Sequence, residues 1–123
     1  MSKASILVVD DEEPIRALLT RLLLLHGHTV ESASDGAQAL DLLSAKRYDL
    51  LIIDRNMPKM SGVDVVSAIR TSPKHKSLKI LMATSTSVNK EVEAAFEAGV
   101  DGYVLKPFHL DQLVSKVDRT LKS

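Results

Sequence analysis

Short apolar runs alternate along the chain with longer stretches of helical spacing. Ile6-Leu7-Val8-Val9, Leu50-Leu51-Ile52-Ile53 and Tyr103-Val104-Leu105 are continuous rather than alternating, as in strands buried on both faces. The pattern predicts five strands, over residues 5–9, 29–33, 49–53, 78–83 and 103–105. It also predicts five helices. The first covers 14–26, with Pro14 in its first turn, Gly27 as its stop and Ile15, Leu18, Leu19, Leu22 and Leu23 inward; Leu24 falls outside that stripe. The second covers 37–46 behind a Ser34 or Asp35 cap. The third, 63–71, opens on a capping-box-like pair, Ser61 and Asp64, and Pro73 ends it. The fourth, 88–98, groups Val88, Val92, Ala95 and Phe96 on one face and stops at Gly99. The fifth, 110–121, turns Leu110, Leu113, Val114, Val117 and Leu121 inward, and His109 gives it a poor cap.

Strand–helix alternation of this kind specifies an α/β fold, a doubly wound (βα)5 parallel sheet of five strands covered on both faces. Right-handed crossovers bring every strand's carboxyl end to one edge. Ligands of open α/β sheets bind along that edge. Asp10, Asp11, Asp54, Thr84 and Lys106 all follow or end strands there. The 123 residues make one domain by length, and too few follow the fifth helix for a further domain.

Composition narrows the partners. Sixteen basic and sixteen acidic residues cancel, so no net field draws the chain onto nucleic acid or an anionic membrane. The absence of cysteine excludes disulfides and thiolate metal sites. Met1-Ser2-Lys3-Ala4 shows no signal-peptide pattern, and no apolar run approaches the ~18 residues of a membrane span. A cytoplasmic location is expected.

The edge residues carry the chemistry. Asp10, Asp11 and Asp54 repel one another unless a cation joins them, and hard oxygen ligands suit Mg²⁺, or Mn²⁺ in its place. A carboxylate held there can attack phosphorus and form an acyl phosphate. Positioning and charge neutralisation carry phosphoryl transfer, so little further covalent help is needed. Lys106 has the reach to pair with a carboxylate or a phosphoryl oxygen, and Lys106–Pro107 is a candidate cis peptide. Thr84 and Ser85 offer hydroxyls at the end of the fourth strand. Each residue also has a plainer reading. The acids of Asp10-Asp11-Glu12-Glu13 suit a helix N-terminus, Asp54 alone is a satisfied structural acid, Lys106 a surface lysine and Thr84 a turn residue.

Four separated segments then resemble one family: Val8-Val9-Asp10-Asp11, Asp54 through Gly62 (DRNMPKMSG), Met82-Ala83-Thr84-Ser85, and Gly102-Tyr103-Val104-Leu105-Lys106-Pro107-Phe108. Together they resemble the bacterial two-component response-regulator receiver domain, of the single-domain CheY-like kind, over essentially residues 1–123. The resemblance implies a flavodoxin-like strand order, 2-1-3-4-5, and no output domain. It implies Asp54 as phosphoacceptor, Asp11 as direct Mg²⁺ ligand with Asp10 direct or through water, Asp54 itself in the metal site, and the Asn56 carbonyl as a further ligand. Lys106 is then the phosphate-pairing lysine, Thr84 the switch hydroxyl, and Tyr103 the aromatic that turns inward with it. Asn56 and Thr86 tune the lifetime of the acyl phosphate. The surface of the fourth helix, fifth strand and fifth helix is the output face. Arg55, beside the phosphoacceptor, is expected to face solvent, the other reading being that its charge helps attract phosphate.

The implied function is a stand-alone module, phosphorylated by a histidine kinase or histidine phosphotransfer protein and acting by binding a downstream protein. It would promote its own phosphorylation and dephosphorylation without being a turnover enzyme. Leu24 reads first as an ordinary lone exposed leucine, the other reading being a contact for such a phosphodonor protein. A monomer is expected, with phosphorylation-linked dimerisation as the other arrangement. The alternative role is a relay carrier passing phosphate to a second histidine. An aspartyl-phosphate hydrolase would carry a second acid where Asn56 stands, and a flavodoxin-like cofactor binder would carry a hydroxyl- or glycine-rich loop where Asp10–Glu13 stands.

Overall fold

In the computed structural model, which describes residues 3–123, five strands and five α-helices alternate. The strands are β1 (Ser5–Val9), β2 (Thr29–Ala33), β3 (Leu50–Asp54), β4 (Lys79–Thr84) and β5 (Gly102–Leu105). The helices are α1 (Glu13–Leu25), α2 (Gly36–Ala45), α3 (Gly62–Arg70), α4 (Asn89–Ala98) and α5 (Leu110–Lys122). All pairings are parallel, in the order β2-β1-β3-β4-β5. This is the doubly wound sheet that the alternating pattern specified. Met1 and Ser2, part of the stretch read for a signal peptide, lie outside the described residues.

Side-chain alternation divides the core into two layers. Leu7, Val9, Leu51, Ile53, Ile80 and Met82 pack under α2, α3 and α4. Ile6, Val8, Leu50, Ile52 and Leu81 pack under α1 and α5. Burying one such side chain completely contributes ~1.5–3 kcal/mol. β3 is buried at all five positions, which accounts for the continuous apolar run of its first four residues.

Several expected positions move. β3 starts one residue later than expected and includes Asp54; Asp49 stays outside it, where its carboxylate accepts the Ser5 N–H at 2.8 Å. α1 begins at Glu13 and ends before His26, whose N–H closes on the Leu23 carbonyl while that of Gly27 closes on Leu24. A 3-10 turn (Pro73–His75) separates α3 from β4 where only a helix stop was foreseen. Leu18 is exposed because it lies beyond the rim of the Ile15–Leu19–Leu22–Leu23 stripe. Leu110 is exposed at the first position of α5, and Val88 sits outside α4 as its N-cap. Phe96 remains 45% exposed because β5 is an edge strand and offers it only the edge of Tyr103. Thr120 is buried on α5 although the apolar pattern passed over it.

The expected caps form where they matter for the edge. Asp35 accepts the Gln38 N–H at 2.8 Å at the start of α2. Ser61 and Asp64 form a full capping box at the start of α3. His109 gives α5 no side-chain cap. Gly62 is fixed by close approach. A Cβ there would meet the Asp54 carbonyl oxygen and stand 3.0 Å from the Arg55 Cα. Gly62→Ala is therefore expected to lose about 1–3 kcal/mol of unfolding free energy in urea, more than the ~1 kcal/mol of Ser61→Ala. Equal losses in the two variants would contradict the close-packed reading of that loop.

Candidate functional site

Three site residues have backbones pinned by the sheet just where its regular pairing ends. Asp10 donates its N–H to the Ala33 carbonyl at 3.2 Å, Arg55 to Ala83 at 2.8 Å, and Lys106 to Thr84 at 2.8 Å. The ladder thus runs one residue past β1, β3 and β5 and fixes where the following side chains leave. Asp10 and Asp54 continue the parity of Ile6 and Val8, and of Leu50 and Ile52. Lys106 continues that of Val104. All three side chains consequently leave the same face of the sheet, toward α1 and α5.

They meet there. The Lys106 Nζ lies 2.9 Å from Asp10 Oδ2 and 3.2 Å from Asp54 Oδ1, with Glu12 Oε1 further out at 3.9 Å. Asp10 is 2% exposed and Asp54 5% exposed. The other Asp10 oxygen accepts the Glu12 N–H at 2.9 Å. Asp10, Asp11 and Glu12 offer carboxylate oxygens that all lie within 4.8 Å of one another. An oxygen-only set of this kind fits a hard divalent cation and no soft one. Of the expected ligands, Asp10 and Asp11 join this group. Asp54 adjoins it through Lys106, and Asn56 lies exposed two residues further along the loop.

Burial pushes the Asp54 carboxyl above its ordinary range, and the neighbouring Asp10 charge adds to the rise. The Lys106 charge and hydrogen bond and the Asn56 backbone N–H oppose it. Burial pulls Lys106 down, but its bond to Asp10 and the Asp54 charge outweigh this and hold it above its ordinary value. The ammonium is therefore the permanent counter-ion, and Asp54 is the acid that remains under-compensated.

Among the described residues, the side chains of Thr84, Thr86 and Tyr103 lie beside this cluster without a hydrogen bond to its carboxylates or ammonium. Thr84 is buried at the end of β4, and its hydroxyl accepts the Thr86 N–H at 3.1 Å. The Thr86 hydroxyl in turn accepts the Val88 N–H at 3.2 Å. Tyr103 is half-buried and packs edge-to-face against Phe96, ring centres 6.0 Å apart. The Lys106–Pro107 peptide is cis. Two features were not foreseen. Arg16 donates from Nη1 to the Asp10 carbonyl at 2.7 Å, so α1 holds the acid loop from above; its position four residues after Glu12 was the available signal. Arg55 does not face solvent. It leans toward α4, with Nη1 3.7 Å from Glu91 Oε1, because its backbone is fixed by Ala83 and Gly62.

A raised folded pKa means that Asp54 costs stability increasingly as pH rises from its ordinary value through the folded pKa, and costs nothing where the carboxyl is protonated in both states. In chelator-treated, metal-free buffer, Asp54→Asn is expected to stabilise the protein at neutral pH by on the order of 1 kcal/mol. The gain should disappear as pH falls below the ordinary carboxylate value of 3.8. Urea midpoints against pH test this, and a variant less stable than the parent at pH 7 would contradict it.

Comparison with known proteins agrees with this geometry. Residues 6–118 match the response regulator receiver domain model. The chain is 38% identical over 115 residues to the chemotaxis protein CheY of Pseudomonas aeruginosa, covering 93% of each. It is 38% identical over 117 residues to the response regulator MprA of Mycobacterium avium, spanning 95% of this chain and half the length of that relative. The structure of the chemotaxis response regulator CheY4 of Vibrio cholerae superposes with a TM-score of 0.92 at 34% identity, over 97% of this chain and 99% of the other. An aspartate–lysine cluster at the carboxyl edge of a 2-1-3-4-5 sheet, carried on a sequence matched almost end to end, leads to one assignment: the chain belongs to the response regulator receiver domain family.

Proposed function

We propose that Asp54 accepts a phosphoryl group and that the protein signals by switching between two charge states at that residue. The observation that carries this is the Lys106 bridge between two buried carboxylates at the sheet edge. In the reaction, an Asp54 oxygen bonds to phosphorus as the P–N bond of a donor phosphohistidine breaks. The bonding pair stays with the imidazole nitrogen, which takes up a proton. Receiver domains bind Mg²⁺ at an acidic pocket, and the carboxylates of Asp10, Asp11 and Asp54 with the Asn56 carbonyl would hold it here. The ion, when bound, neutralises charge between these acids and the incoming phosphoryl oxygens.

The protein's own residues do the rest. Lys106 holds Asp54 oriented and is the cation nearest to a phosphoryl group on it. Thr84 gives up its bond from the Thr86 N–H and donates its hydroxyl to a phosphoryl oxygen, drawing the β4–α4 loop inward. Tyr103, now against Phe96 at the rim of α4, turns into the space vacated by that loop. The α4–β5–α5 surface then presents a different face to a downstream protein. Water resets the site by cleaving the acyl phosphate, and Asn56 and Thr86 border its path and set the rate.

Receiver domains work with histidine kinases or phosphotransfer proteins, and we take such a protein as the donor. Among the described residues no helix is long and apolar enough to cross a membrane, and we take the cytoplasm as the compartment. A diffusible switch fits better than a relay carrier, because Tyr103 and Phe96 link the site to an exposed face.

Incubated with a small phosphodonor and Mg²⁺, the parent protein should gain the mass of one phosphoryl group and Asp54→Asn should gain none. A variant labelled at the parental rate would refute the assignment. Thr86→Ala should change the decay of the phosphorylated form several-fold, roughly 1 kcal/mol in barrier height. Identical decay curves would remove Thr86 from that role.

A further inference from the structure

Arg55 directly follows the phosphoacceptor, and its surroundings are not those of a surface arginine. Its N–H donates to the Ala83 carbonyl at 2.8 Å, and its carbonyl accepts the Gly62 N–H at 2.9 Å. The side chain thus starts from a fixed point. Asp54 and Ala83 are register partners, so one residue on, Arg55 and Thr84 stand side by side. Strand alternation sends Arg55 toward the face covered by α3 and α4, opposite to Asp54.

Its guanidinium is poorly satisfied there. The side chain is only 20% exposed, and Nε is buried with no hydrogen-bond partner among the described residues. Its ion pair is Nη1 to Glu91 Oε1 at 3.7 Å, longer than a hydrogen bond, with a carboxylate 42% exposed in the first turn of α4. Pairs as open as this are weak and screened by salt. A guanidinium carries five donors in a planar fork that matches phosphate oxygens. A phosphoryl group on the adjacent residue would supply three acceptors and nearly two negative charges at the same edge. Glu91 is the weaker competitor for the same cation.

We propose that Arg55 is a phosphoryl-responsive residue whose guanidinium is held by Glu91 in the unphosphorylated protein and moves to the phosphoryl oxygens on Asp54. The exchange frees the first turn of α4, so the modification is read by α4 through Arg55 as well as through the neighbouring Thr84. This rests on Asp54 being the phosphoacceptor. Because Glu91 and the phosphoryl group compete for one cation, weakening either contact strengthens the other.

Beryllofluoride binding in the presence of Mg²⁺, a stable mimic of the phosphoryl group, tests the exchange on the full chain. Arg55→Gln should weaken binding by about 5–10-fold. Glu91→Gln should tighten it by about 2–3-fold. In the Arg55→Gln background, Glu91→Gln should have no effect, since the competition is gone. Arg55→Lys should restore part of the loss, as a point charge without the fork. Opposite signs for the two single variants separate this role from a merely structural one, which both substitutions would damage alike. Unchanged affinity in Arg55→Gln, or the same Glu91→Gln effect in both backgrounds, overturns the inference while leaving Asp54 in place. If Arg55→Gln fails to fold, Glu91→Gln decides alone: tighter binding supports the exchange and unchanged binding overturns it. A parent protein that does not bind beryllofluoride overturns both the Asp54 reading and this inference.

Discussion

The Lys106 ammonium, bonded to Asp10 and Asp54 at once, is the contact on which the rest of this edge depends. Two carboxylates buried this deeply, one strand apart, would repel each other and each would lose its hydration. Burial first, and the Asp10 charge second, outweigh what this single cation returns to Asp54, which is why Asp54 stays raised while Lys106 stays charged. The site is therefore short of positive charge by construction. That shortage suits the edge to a divalent cation of the kind receiver domains bind at an acidic pocket, and under the proposed function it leaves the lysine able to turn to a phosphoryl oxygen once the acids have another partner.

The geometry that enforces this contact is made by the sheet rather than by the loops. Parallel register places the ends of β1, β3 and β5 at one edge, and the backbone bonds Asp10–Ala33, Arg55–Ala83 and Lys106–Thr84 carry the pairing one residue beyond it. Alternation then decides sides. Asp10, Asp54 and Lys106 fall on the α1–α5 side, while Thr84, Arg55 and Tyr103 fall on the α4 side. The acid–lysine cluster and the residues proposed to read it thus occupy opposite faces of the same strand ends, one residue apart. Gly62 closes the arrangement, since no side chain fits between α3 and the Asp54–Arg55 backbone.

The sheet and its order were legible because continuous apolar runs separated by helical spacing leave few topologies. The meeting of Asp10, Asp54 and Lys106 was legible for the same reason, since each ends or follows a strand. The side-chain directions beyond the strands were not. Arg55 looks like any loop arginine until the Ala83 and Gly62 contacts fix its origin. Arg16 looks like a solvated helix residue until the turn of α1 brings it over the Asp10 carbonyl. Periodicity also overstates burial at helix rims and sheet edges. Leu18, Leu110 and Phe96 carry the right spacing, but Leu18 lies at the rim of the α1 stripe, Leu110 at the first position of α5, and Phe96 over the edge strand β5, so these side chains stay partly exposed. The acids suggested Mg²⁺ chemistry from their type alone, whereas the convergence of the Glu12 carboxylate with those of Asp10 and Asp11 emerged only from the turn that Asp10 makes with the Glu12 N–H.

The most direct measurement is a Mg²⁺ titration of the metal-free protein followed at every backbone amide by NMR. The account predicts saturable shifts concentrated at Asp10, Asp11, Asp54, Asn56 and Lys106, with much weaker shifts when Asp11 is replaced by Asn. Saturable shifts centred on other acidic stretches, or none at the carboxyl ends of β1 and β3, would contradict it.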